Sequence, residues 1–97
     1  MSIDFDTEIT AIDSQLQQVK GYLDCEKTIL QSIKRQEDKG FGDEAIAAYL
    51  TKLSTWFHKK MKMGNGHPDY TNYMFTAGCV DYLLKMAPIK NITAIQL

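Results

Sequence analysis

Arginine is almost missing from this chain. Arg35 stands alone, and ten of the eleven basic residues are lysine. Two-pronged reading of base edges is arginine work, so sequence-specific DNA recognition is disfavoured. No short helix with Arg, Asn and Gln at its start follows a tight turn, which also argues against helix-turn-helix. Cysteine is scarce: Cys25 and Cys79 are too few for a disulfide framework and lack metal-ligand spacing. A zinc site would need Cys25, Cys79, His58 and His67 to converge. The two nearest, His58 and His67, are nine residues apart, beyond the short pairs typical of structural zinc. No apolar run approaches the ~18 residues of a membrane span. The opening Met1-Ser2-Ile3-Asp4-Phe5-Asp6 carries acids where a secretory leader carries bases. Twelve acids against eleven bases leave a net charge of −1, which disfavours nucleic-acid binding through bulk positive charge.

What is present suits one soluble helical domain. The 97 residues are 44% apolar, too rich for disorder and near the lower limit for burying a single core. Ile9, Ile12, Leu16, Val19, Leu23, Leu30 and Ile33 follow a seven-residue repeat with one gap, at Glu26. This predicts a long first helix over about 6–38, capped by Asp4 or Asp6, with Gly21 on its polar side. Glu26 reads either as meeting a lysine of the second helix or as a polar register device that selects an oligomer. Lys39-Gly40-Phe41-Gly42 breaks the pattern, and Asp43 reads as the next N-cap. A second helix over 43–63 carries Ile46, Leu50, Leu53 and Phe57 at helical spacing, with Tyr49, Trp56 and Met61 broadening the stripe. Gly64 ends it.

The third helix, about 69–87, has two apolar stripes: Tyr73, Ala77, Val80, Leu84, and Phe75, Cys79, Tyr82, Met86. Thr71, Gly78, Asp81 and Lys85 form a narrow polar strip. Pro88 stops it, and the tail 88–97 is expected to dock or stay partly mobile. Ile3 and Phe5 alternate with acids, so a short pairing between the termini is conceivable. The expected fold is therefore an all-α bundle of three main helices in one domain, 1–97, with the first helix antiparallel to the second.

Length gives the argument for self-association. About 30 helical residues span roughly 45 Å, whereas a compact chain of this size has a radius of gyration of roughly 12–13 Å. An unbroken first helix would overhang the domain, which favours a homodimer. Ala77, Gly78, Phe75 and Tyr82 on the doubly apolar third helix are the expected contact.

Chemistry-bearing residues are few. Lys59, Lys60, Lys62, His67, Tyr70 and Tyr73 gather lysines, a histidine and aromatics around a turn that leads into a helix N-terminus, where backbone amides attract anions. A capped turn is the expectation there, and a site for a nucleotide or other phosphate-bearing ligand is the alternative. Two points compete with it: lysines suit a helix C-terminus for structural reasons, and the glycines lack phosphate-loop spacing. Cys79 and His67 are the only nucleophile–base pair to consider, and twelve helical residues hold them about 18 Å apart. Catalysis is not expected, nor a metal or cofactor.

The leading functional expectation is a non-catalytic inhibitor or adaptor that blocks or scaffolds a protein partner in the cytoplasm. Small size and lack of motifs are shared with inhibitors encoded by phages and mobile elements, which would act in the host cytoplasm; this is an analogy of shape. Asp4, Asp6, Glu8 and Asp13 form an acidic N-terminal patch with no base among them, able to steer a basic partner. Tyr49 and Trp56 are the expected aromatic anchors.

Overall fold

Asp4 starts the first helix as expected: its carboxylate accepts hydrogen bonds from the Thr7 amide (3.1 Å) and hydroxyl (2.8 Å). The computed structural model describes residues 3–64, 66 and 68–86, and its helices are α1 (Phe5–Leu16), α2 (Tyr22–Asp38), α3 (Asp43–Met61) and α4 (Tyr70–Lys85). The chain is all-helical among the described residues, in four helices and not three.

The expected continuous helix over 6–38 breaks between Leu16 and Tyr22. Gln17 and Gln18 donate to carbonyls only three residues back, a tightening turn that ends α1. Gly21 then adopts φ +90°, a left-handed conformation that glycine enters without side-chain strain. The side-chain amide of Asn72, on α4, donates to the carbonyls of Leu16 (2.6 Å) and Val19 (2.9 Å). These carbonyls would otherwise lack partners at the helix end. The break shifts the phase of the heptad seam. Ile9, Ile12 and Leu16 are buried on α1, but Leu23 is 76% exposed, and α2 instead buries Cys25, Ile29, Leu30 and Ile33.

The break also changes the pairing. α1 folds back on α2, bringing Glu8 beside Ser32, Arg35 and Lys39. The expected antiparallel partner of the first helix, residues 43–61, pairs most extensively with α4. Phe57 meets Tyr73 with ring centroids 5.7 Å apart, and Ser54 bonds Asp81. The molecule is thus two helical hairpins packed face to face. With α1 turned back, the radius of gyration is 12.7 Å and the longest extent 38 Å. The first helix no longer overhangs, so that argument for a dimer falls.

Gly40 joins the hairpins. At φ +95° it donates to the Glu37 carbonyl, while Phe41 donates to that of Gln36. Together these close α2 with the paired C-terminal bonds of a Schellman turn, and half-buried Phe41 packs on the core. Gly42, not Asp43, is the N-cap of α3, which leaves Asp43 and Glu44 in the first turn facing the positive end of the helix dipole. Gly64 stops that helix as expected, with φ +89°.

Ile46, Leu50, Leu53 and Phe57 are all essentially inaccessible, as their spacing implies. The first apolar stripe of α4 is buried at Tyr73, Ala77 and Val80, with Leu84 half-buried. The second is divided: Cys79 is buried, Phe75 half-buried and Tyr82 57% exposed. Ile3 is buried and Phe5 opens α1; the tail 88–97, and with it any pairing of the termini, lies outside the described residues.

Candidate functional site

The acidic N-terminal patch divides into different jobs. Asp4 is committed to the N-cap, and its bonds from Thr7 hold the carboxyl below its ordinary pKa. Asp13 accepts from the Tyr73 hydroxyl at 2.9 Å, joining α1 to α4. Burial and that carboxylate together push the Tyr73 phenol upward. Glu8 turns inward: its side chain is only 11% exposed, with Arg35 at 3.4 Å and Lys39 at 3.6 Å. Of the four acids, Asp6 remains an exposed carboxylate beside the groove described below.

Tyr49 is not a half-exposed anchor. It is wholly buried, stacked on Phe5 at 6.1 Å, and its hydroxyl bonds Ser32. Ser32 donates its single proton to Glu8 at 3.3 Å, so Tyr49 is the donor to Ser32. The result is an interior relay, Tyr49 to Ser32 to Glu8, closed on the outer side by Arg35 and Lys39. Desolvation raises the Tyr49 phenol to about 12. Glu8 lies four residues before Ile12 and eight before Leu16, so helical spacing already puts it at the edge of the buried face; its partners Arg35 and Lys39 follow from the fold-back at Gly21.

Trp56 is the expected anchor that keeps part of its ring at the surface. It is half-buried on α3, and Lys60 places its ammonium 4.8 Å from the ring centroid. Beside it lies a groove of about 290 Å³ between α1 and α3. Phe5 and Ile9 line the α1 side with Asp6; Lys52, Trp56 and Lys59 line the α3 side. The indole Nε1 is sealed from water and finds no acceptor among the described residues. A buried N–H without a partner costs about 1–3 kcal/mol.

Among the described residues, the side chains of the lysine-rich turn are dispersed over different surroundings. Lys59 and Lys60 belong to the Trp56 surface, Tyr73 is a core residue bonded to Asp13, and Tyr70 is half-buried. Lys62 is exposed at the C-cap of α3, and His67 lies outside the described residues.

Among the described residues Glu26 forms no salt bridge to a lysine; it is half-buried, near enough to the Cys79 thiol to raise its pKa. Cys25 and Cys79 are buried free thiols. Burial first, then Glu26, pushes Cys79 to about 12. Such a thiol is fully protonated near neutrality and a poor nucleophile.

Sequence reasoning missed one cluster. His58 Nε2 lies 2.7 Å from Asp81 Oδ2, and Ser54 donates to Asp81 Oδ1 at 2.6 Å. A serine, a histidine and an aspartate meet here, but the aspartate sits between the other two. Ser54 thus spends its proton on Asp81 and has no base to activate it. The cluster fastens α3 to α4. Its only sequence signal is the spacing of Ser54 and His58 on one face of a helix. Among the described residues no group of three or more His, Cys, Asp or Glu side chains is placed to hold a metal ion, and no helix is long and apolar enough to cross a membrane. Compared with protein-family models, curated proteins and solved structures, the chain matches none significantly.

Proposed function

We propose that this chain is a non-catalytic binding module that captures a segment of a protein partner in the groove between α1 and α3, and so blocks or scaffolds that partner. The observation that carries this reading is Trp56: a half-exposed aromatic surface between Lys52, Lys59 and Lys60 at the edge of the groove. Tryptophan is among the residues enriched at the energetic centres of protein interfaces. The lysine edge favours an acidic amphipathic segment, whose apolar side chains would lie on Phe5, Ile9 and Trp56 while its carboxylates face α3. This reverses the polarity expected from the acidic N-terminus, because Glu8 and Asp13 are engaged inside the fold.

The test is differential capture from lysate of the native cell. Four immobilised proteins are compared: wild type, Trp56→Ala, the pair Lys52→Glu with Lys59→Glu, and Lys27→Glu as a charge control on α2. A partner retained by wild type and Lys27→Glu but lost from the two groove variants supports the reading. An identical set of proteins on all four would overturn it. Circular dichroism of each variant checks that the helices persist.

A further inference from the structure

We propose that the outer face of α4 pairs with the same face of a second copy of this chain, antiparallel about Gly78. The argument is independent of the Trp56 groove. Tyr82 is 57% and Met74 40% exposed, and Gly78 lies exposed between them. Among the described residues nothing beyond α4's own nearby backbone comes within 4 Å of a Cβ built on Gly78, so packing among them does not require the glycine. A helix-interior glycine costs about 1 kcal/mol relative to alanine. Close approach of another backbone would use the missing side chain.

The face reads alike in both directions. Met74 precedes Gly78 by four residues and Tyr82 follows it by four. Across a two-fold axis at Gly78, the Met74 thioether of each copy meets the Tyr82 ring of the other, a favourable sulfur–aromatic contact made twice. The charges permit it as well. Asp81 is held by Ser54 and His58 of its own chain, and Lys85 brings the opposite sign to the same strip.

The exposed area sets an upper bound on the contact. Tyr22, 39% exposed, packs edge-on against Phe75 at 5.8 Å and extends the patch to the start of α2, where Leu23 is 76% exposed. These side chains with Met74 and Tyr82 offer on the order of 500 Å² per copy, hence about 1,000 Å² for the pair, at the threshold of a specific interface. An interface at that threshold is of the weak, concentration-dependent kind.

Sedimentation equilibrium of the full chain at about 100 µM should give twice the 11.0 kDa of one chain. Gly78→Leu should weaken pairing by about tenfold or more while raising the melting temperature of the monomer, two effects of opposite sign. Tyr82→Lys should weaken pairing with helix content unchanged. In Gly78→Cys, mild oxidation with diamide should join two chains through the new thiols, the diamide taking up their two hydrogens; Cys25 and Cys79 are buried and do not compete. A single-chain mass for wild type at that concentration would overturn the proposal. So would a dimer indifferent to both Gly78→Leu and Tyr82→Lys, or a dimer that Gly78→Cys fails to cross-link.

Discussion

Removing either end of the Tyr49–Ser32 hydrogen bond should have unequal effects, and the inequality can be worked out from the relay. Both residues are wholly inaccessible to water. In Tyr49→Phe the ring stays in place against Phe5, and Ser32 still donates to Glu8, so no polar hydrogen is stranded. The loss is one net hydrogen bond, about 0.5–1.5 kcal/mol. In Ser32→Ala the Tyr49 hydroxyl is left buried with no partner, and Glu8 loses a donor. Desolvation of the stranded hydroxyl adds about 1–3 kcal/mol, partly offset by alanine's helix propensity of about 0.5 kcal/mol, for a net cost near 2 kcal/mol. The double variant strands nothing and should cost about 1 kcal/mol less than the sum of the singles. Urea denaturation at constant m-value measures all three. The relay would be refuted if Ser32→Ala cost no more than Tyr49→Phe, or if the two effects added to within about 0.5 kcal/mol.

Three further outcomes follow from the same structure. Asp6→Lys should leave the urea midpoint nearly unchanged, whereas Glu8→Lys sets a third cation beside Arg35 and Lys39 and should cost about 3 kcal/mol or more, enough to deplete native helix signal at ambient temperature. Asp81 loses some hydration, but bonds from Ser54 and His58 prevail and lower its pKa below the ordinary 3.8. Its stabilising contribution is therefore present above pH 3.8 and lost as pH falls through the lower folded value, so acid titrations of wild type and Asp81→Asn should converge in that window. With the Cys79 thiol at about 12 and both cysteines buried, a disulfide reagent at pH 8 should label the native protein only as fast as it opens, and far faster in urea.

The helical class was legible because Ile46, Leu50, Leu53 and Phe57 share one stripe whatever they pack against. The partner of each helix was not. The heptad running through Val19 and Leu23 is locally consistent, and nothing near Gly21 in sequence signals that a distant amide will bind the carbonyls of Leu16 and Val19. Once the chain turns there, three expectations change together: Leu23 moves outward, Glu8 meets Arg35 and Lys39, and the overhang disappears. Tyr49 and Trp56 are seven residues apart and so share a helix face in sequence. The small angular difference between them puts Tyr49 in the core against Phe5 and leaves Trp56 at the edge of the groove. Sequence periodicity fixes faces to within a fraction of a turn, and the candidate site depends on that fraction.

The corner between α1 and α2 has a consequence for how the chain reaches its fold. Asn72 lies fifty-six residues beyond Leu16, so the group that seals the corner is synthesised long after the segment it seals. Until then the first forty residues carry a periodic pattern suited to one unbroken helix, with a glycine as the weak point. A chain growing from the ribosome is therefore expected to seal this bend only after Asn72 has emerged, and residues 1–42 alone lack the group that caps the Leu16 and Val19 carbonyls.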